Sequence, residues 1–494
     1  MTDKTARSGN YIIASWLFLR LLGLIYLAAF LSLAAQIKGL VGREGILPAA
    51  EFLAAHRHWG CRRFIRLPSL CWLNASDGAL LSFSWGGVAL ALLLIFGLAP
   101  APVLILLWVF YLSLFTVCRD FLCYQWDMLL LETGFLAIFL APLEIALGFP
   151  PSVAPSTIVV WLLWWVLFRL MFSSGAEKLR SGDTPWRTLT ALRYHYETQP
   201  LPTPLAWHAH QLPIYFHKAS AAAMLVIELF APFLIIAPPK VRSGVAVLFL
   251  LLMLLIQLTG NYSFFNLLAI ALCVLLVDDK ALFPAFQFVA GTTRLPLQIQ
   301  PASLWHNSVA AALAVLILSL SVEPVLRLFQ TGPGGPKPLG RFFDLLEPFR
   351  LVNSYGLFAI VNTWRREIIV EGSNDGKNWQ AYEFKWKPGD VKRAPRFAAL
   401  HQPRLDWQMW FAAQDSRLKH PWFDRLLARL AEGSPAVLSL LRSNPFPQGP
   451  PRYVRGVLYD YRFTNRAERR AAGGWWRREW RGPYGPMFND AASR

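Results

Sequence analysis

Long apolar runs constrain this chain more than any other feature. A helix of about 20 apolar residues crosses the ~30 Å hydrocarbon core of a bilayer. In lipid, only helices and closed barrels satisfy their own backbone. Nine candidate runs occupy the first two thirds of the chain: Tyr11–Ala35, Leu80–Leu98, Pro102–Cys118, Met128–Leu147, Ile158–Ser173, Ala219–Ile236, Val241–Thr259, Tyr262–Val277 and Val309–Leu328. Those starting at Met128, Ile158 and Tyr262 also fit short re-entrant helices. Lys4 and Arg7 precede the first run as in a signal peptide, but its length and the arginine inside it, Arg20, read as a retained helix.

Composition agrees. The chain is 55% apolar and 16% charged, against roughly 45–50% and 25% for soluble domains. The net charge of +18 fits Lys and Arg placed beside the membrane, where they set topology and meet lipid headgroups. No nucleic-acid module is visible, so membrane lipids are the expected partner and nucleic acid is not. The five cysteines lie at 61, 71, 118, 123 and 273. That excludes a disulfide-stapled C-terminal region. No Cys or His spacing suggests a metal, and no cofactor is expected.

The apolar pattern ends near Gln330, and a breaker string follows, Thr331-Gly332-Pro333-Gly334-Gly335-Pro336-Lys337-Pro338. The expected division is a transmembrane helical domain over 1–330, a Pro/Gly linker over 331–339 and a soluble β-rich domain over 340–494. Within the tail, Ser354–Val361, Arg366–Glu371, Ala381–Trp386, Val454–Phe463 and Trp475–Trp480 read as strands. Asn374-Asp375-Gly376 marks a hairpin between two of them. Leu405–Ala413 and Trp422–Leu430 read as short helices. The expected fold is therefore a polytopic α-helical membrane bundle of about nine spans followed by a β-rich C-terminal domain with a few short helices.

The densest chemistry lies between two runs, over 169–239. The loop there carries Lys178, Trp186, His195, Tyr196, Glu197, Gln199 and Pro200. Polar groups beside a bilayer are costly unless paired or used. Lys178 follows an apolar run directly, so it reads either as a desolvated base or as a lysine that snorkels or pairs with a carboxylate. His195, Tyr196 and Glu197 are consecutive and cannot share one face of a regular element. They read as an acid/base group or as a clamp that ties the loop to the tail. Arg20, Glu132, Arg169 and Glu228 are charges inside the runs. They fit a relay or polar pocket, or structural pairs such as Arg20 with Glu132 or Glu228. In the tail, Arg404, Asp406, Trp407 and Trp410 read as domain core or the face docked on the bundle, with a client face as the alternative, and Asp406 is expected to pair with Arg404 or another arginine.

Several blocks resemble the lipase maturation factor family. They include Lys178-Leu179-Arg180-Ser181-Gly182-Asp183, His195-Tyr196-Glu197-Thr198-Gln199-Pro200-Leu201-Pro202, Gly260-Asn261-Tyr262-Ser263-Phe264-Phe265-Asn266, Val352-Asn353-Ser354-Tyr355-Gly356 and Arg404-Leu405-Asp406-Trp407-Gln408-Met409-Trp410-Phe411-Ala412-Ala413. The resemblance implies a polytopic membrane protein that matures or assembles exported proteins, lipases among them, in a chaperone-like role. It implies the endoplasmic reticulum membrane for a eukaryotic chain and the plasma (inner) membrane for a bacterial one. It also implies a tail on the exported side. The Ser174-Gly175-Ala176-Glu177-Lys178-Leu179 stretch is similar to the membrane domain of vitamin-K-dependent carboxylases, where a lysine in this context is the active base. The alternative function is accordingly a membrane enzyme with Lys178 as general base on a lipid-soluble substrate or a protein side chain, which requires a polar pocket at Lys178 open to lipid.

Orientation is in tension. The loop after the first run holds Lys38, Arg43, Arg57, Arg62, Arg63 and Arg66, which the positive-inside rule keeps cytoplasmic, whereas the resemblance exports the tail. Four runs separate the 174–213 loop from the tail, so the two are expected on the same side and in contact.

Overall fold

The computed structural model describes residues 11–145, 153–290, 303–329 and 340–489. The flanking Lys4 and Arg7, the end of the fourth run and the 331–339 linker lie outside them. Nine bundle helices correspond to the nine runs: α1 Ile12–Ala34, α2 Asp77–Phe96, α3 Pro100–Cys118, α4 Gln125–Leu140, α5 Thr157–Arg180, α6 Ile214–Phe230, α7 Pro239–Thr259, α8 Phe265–Val274 and α9 Leu304–Phe329. Seven of these, with adjoining turns, are long and apolar enough to cross a membrane. The Ile158 run is one of the seven; α4 and α8 are not.

Both short helices nevertheless carry the chain from one end of the bundle to the other. At the far end, Asp279 accepts hydrogen bonds from the N–H groups of Ile12, Ile13 and Ala14 at the start of α1 (2.8, 2.9 and 3.2 Å). These are donors that a helix N-terminus leaves open. At the near end of α1, Ser32 and Gln36 bond Gln402 and Arg404 of the tail. Asn261, just before α8, bonds Arg396 and Ala398 of the tail. The Leu276 carbonyl, just after α8, accepts from Arg242 at the start of α7 (2.8 Å). At 1.5 Å per residue α8 spans only about 15 Å, so irregular backbone on either side completes the passage. Such backbone is tolerated at membrane depth only inside protein, and residues 260–265 are buried.

Small residues set the closest helix contacts, as in other membrane bundles. A Cβ on Gly87 of α2 would strike the Phe30 ring of α1, and one on Gly134 of α4 would strike the Tyr26 hydroxyl.

The tail is built on an antiparallel sheet ordered β3-β2-β1-β4-β5, with β6 also paired to β4. The strands are β1 Arg365–Ser373, β2 Gln380–Phe384, β3 Leu441–Ser443, β4 Tyr453–Phe463, β5 Trp476–Pro483 and β6 Phe488–Asn489. The β1–β2 turn contains Gly376 at φ 72°, where glycine carries no steric penalty. Helices α10 (Arg404–Gln414) and α11 (Pro421–Ala431) stand where two short helices were expected and pack on β1 and β4. Ser354–Val361 is not a strand. Its polar groups are satisfied by Glu132, Gln125 and Asp183 of the bundle and loop instead of by a neighbouring strand.

One apolar core runs through both halves, joining bundle residues such as Phe18 and Leu130 to Ile368, Met409 and Trp422 of the tail. At its centre, Arg404 of α10 meets Asp127 of α4 through two bonds (2.5 and 2.8 Å), with neither side chain exposed. Tyr111 donates to the same carboxylate (2.5 Å), and the Phe121 carbonyl accepts from the guanidinium (3.0 Å).

Two outcomes follow from this packing. Asp127→Leu or Arg404→Met alone leaves one buried charge unpaired and is expected to cost about 3–5 kcal/mol, whereas the double variant recovers most of the loss. Thermal unfolding of the four proteins in one detergent measures that coupling. His401, whose Nδ1 lies 3.0 Å from the Ser32 hydroxyl, is pulled down to about 4 by burial and then by the Arg404 and Lys385 charges. The folded state therefore holds it neutral, and its contribution is full above pH ~6.5 and is lost as pH falls from there toward 4. His401→Asn should flatten the decline in melting temperature between pH 7 and 5.

Candidate functional site

Residues 351–358 descend from the tail into the bundle and seat on the charges buried there. Glu132 of α4 and Arg169 of α5 form an ion pair with almost no exposure. Glu132 Oε2 accepts from the Asn353 N–H (3.0 Å), the Asn353 side chain (3.1 Å) and the Tyr355 hydroxyl (2.6 Å). Arg169 donates to the Asn353 carbonyl (3.0 Å). The pairing expected of Arg20 differs. Glu132 is taken by Arg169 and Glu228 by Lys178, so Arg20 lies over the Trp16 ring at 4.7 Å, a cation–π contact that suits a guanidinium against apolar helices.

The loop between α5 and α6 folds into three short helices, Thr184–Arg187, Ala191–Thr198 and Pro204–His210. Its contacts with the tail are mostly hydrogen bonds to backbone. Arg365 of β1 spreads its guanidinium over the carbonyls of Glu197 (2.9 Å), Gln199 and Pro200 (2.8 Å). Glu367 holds it from the other side, and Lys387 completes that buried cluster (2.9 Å to Glu367). Trp410 donates to the Thr198 carbonyl (2.8 Å), Trp207 to the Thr464 carbonyl (2.9 Å), and Trp186 to the Phe358 carbonyl (3.0 Å). The Glu197 carboxylate accepts from the Phe463 N–H (3.0 Å). The loop and the tail thus meet on one end of the bundle. The basic first loop shares that end, where Arg425 pairs with Glu51 (2.8 Å) and Arg429 donates to the Gly45 carbonyl (3.0 Å).

The consecutive His195, Tyr196 and Glu197 diverge as their spacing requires, with Glu197 toward the tail and the other two toward the bundle. Asp406 does not pair with an arginine. It accepts from the backbone N–H groups of Trp386 and Lys387 (both 2.8 Å), because Arg404 is committed to Asp127. Trp407 packs edge-on to Tyr124, Trp126 and Tyr262. Asn353 and Tyr262 lay inside two of the resemblance blocks but were given no role, and Arg365 and Glu367 were not singled out, although opposite charges two residues apart on one face of a strand were a usable signal.

Behind the loop lies a cavity of about 330 Å³ between α5, α6, α7 and α8. Its walls are largely apolar, with Leu170, Met171, Met224, Leu252, Met253 and Ile256 among them. Lys178 and Glu228 form part of the lining, and Lys178 Nζ donates to both oxygens of Glu228 (2.8 and 2.7 Å). The same Nζ lies 5.4 Å from the Trp186 ring centroid. His195 Nε2 is 2.9 Å from the Tyr262 hydroxyl, which donates to Gln199 Oε1 (2.5 Å). With the hydroxyl proton spent on Gln199, the imidazole N–H donates to Tyr262. Burial first, and then the Lys178 charge, lower His195 to about 4, so the ring is neutral at physiological pH. A lysine clamped by a carboxylate has the geometry of a structural pair and does not resemble a free base. Among the described residues, no group of His, Cys, Asp and Glu is arranged to hold a metal.

The sequence matches the model of the lipase maturation factor transmembrane domain over residues 13–283 and that of the lipase maturation factor C-terminal domain over residues 351–486. It is 36% identical to lipase maturation factor 2 of Homo sapiens, over 94% of this chain and 81% of that protein. It is 35% identical to lipase maturation factor 1 of Bos taurus, over 98% of this chain and 90% of that protein. No solved structure matches the chain. With both halves matched, and with apolar helices where the transmembrane model falls, this integral membrane protein belongs to the lipase maturation factor family.

Proposed function

We propose that the chain is a membrane-embedded maturation factor that brings exported lipases to their active form on the face shared by the loop and the tail. The observation that carries this reading is the similarity to lipase maturation factors 1 and 2 along both the bundle and the tail. The tail also leaves apolar side chains exposed, among them Ile360, Phe397, Leu418 and Trp480. In this reading the tail lies on the exported side, in the endoplasmic reticulum lumen of a eukaryotic cell or outside the inner membrane of a bacterium. The basic first loop shares that end of the bundle and goes with it, against the side its charges alone would choose.

The test is complementation. In cells lacking their own lipase maturation factors, expression of this chain should raise the activity of a secreted homodimeric lipase relative to its secreted mass. An unchanged ratio, with the chain correctly inserted, would sink the reading.

Substitution at the buried pair separates this role from base catalysis. Lys178→Arg retains a cation for Glu228 but removes a titratable amine, and it should leave maturation within about twofold of the parent. Glu228→Ala strands a buried ammonium, a loss on the order of 3–5 kcal/mol, and should reduce both protein level and maturation. Loss of maturation in a folded Lys178→Arg protein would support the enzyme alternative.

A further inference from the structure

We propose that the cavity behind the 174–213 loop is a binding site for a neutral single-chain lipid, with an uncharged ester-bearing head against Lys178 and an acyl chain leaving between α6 and α7.

Position comes first. The cavity lies at the loop end of the bundle, roofed by Trp186, Leu192 and Phe358 and walled on its sides by α5, α6 and α7, which are long enough to span a bilayer. Phe216 of α6 and Leu255 of α7 both line it and are both exposed, Leu255 at 63%. They mark a mouth that faces sideways, into the bilayer. A volume of about 330 Å³ sits at the lower end of the ~300–1,000 Å³ range of small-molecule sites. It suits a small head and the first part of one chain, but not a two-chain phospholipid.

The polar end then selects the head. Lys178 and Glu228 neutralise each other, and His195 is uncharged, so the site offers no net charge to a phosphate, carboxylate or ammonium. Two of the three N–H donors of Lys178 go to Glu228, which leaves the third for an ester carbonyl or hydroxyl oxygen. The Tyr262 hydroxyl is spent on Gln199 and His195, so the Lys178 N–H is the group left to hold the head. The walls are apolar, with Met171, Met224 and Met253 among them, and unbranched thioether side chains adapt to chains of varied shape. A dry apolar cavity open to lipid is the alternative to an occupied one, and the unspent donor at its inner end favours occupation.

The site is independent of the maturation reading, because it is tested on the purified full-length chain with no client present. The probe is a monoacylglycerol carrying a photoreactive diazirine on its chain, added to the protein in phosphatidylcholine nanodiscs. Labelling should concentrate on peptides from α6 and α7 and fall at least fivefold with excess unlabelled monoacylglycerol. Excess lysophosphatidylcholine or fatty acid at pH 7.5 should not compete. Ser220→Trp, which fills the cavity from α6, should reduce labelling to a similar extent at an unchanged melting temperature. Met224→Trp serves the same purpose if the first variant misfolds. Labelling spread evenly over the lipid-facing helices, equal competition by the charged lipids, or full labelling of a folded cavity-filled variant would overturn the proposal.

Discussion

An arginine carried by the tail and an aspartate carried by the bundle neutralise each other where neither meets water. An isolated ion in such a place costs several kcal/mol, so Arg404 and Asp127 each make the other admissible. The bidentate contact fixes orientation as well as charge, and the pair therefore sets where α10 lies on the bundle. Gln408, one turn along α10, then reaches the Asp120 carbonyl, and Trp407 enters the aromatic cluster of Tyr124 and Trp126. Seating α10 brings β1 beneath the loop, where Arg365 collects three carbonyls of the His195–Pro200 turn. The loop in turn closes the cavity around Lys178.

The same physics explains what the sequence made legible. Apolar runs must be helices in lipid whatever their partners, so all nine could be located, including α4 and α8. Both runs also fitted short re-entrant helices, and composition alone did not decide their lengths, because an apolar run does not show where its helix begins: the eighth run opens at Tyr262, ahead of α8. The Asn-Asp-Gly turn and the alternation of β1 and β4 are local signals and were readable for that reason. Ser354–Val361 carries the same β-forming residues but finds its hydrogen-bond partners on Glu132 and Gln125, far away in sequence.

Among the candidate residues, the identity of those that matter was more legible than their pairing. Lys178, His195, Glu132, Arg169, Glu228 and Arg404 all drew attention because a charge or imidazole next to an apolar run demands an explanation. Which carboxylate serves which cation depends on helix order and rotation, which composition does not encode. Arg20 was therefore assigned to carboxylates that Arg169 and Lys178 occupy, and Asp406 to an arginine when two backbone N–H groups hold it. Gln199 was a candidate in the loop and Tyr262 lay in a resemblance block, but neither carries a charge that would have pointed to the hydrogen bond they share at the polar end of the cavity.

The sequence distance across the central pair has a consequence for how the protein is made. Asp127 and Arg404 are 277 residues apart, and ribosomes add roughly 5–20 residues per second. During about 15–55 s of synthesis, α4 is present with an acidic group that has no guanidinium to meet. Glu132 is relieved early by Arg169 on the next helix, but Asp127 waits for the far end of the chain. A nascent bundle in this interval exposes the surface that marks an unfinished membrane protein, and a truncated product keeps it exposed. A protein proposed to help others mature thus passes through a long unassembled stage of its own.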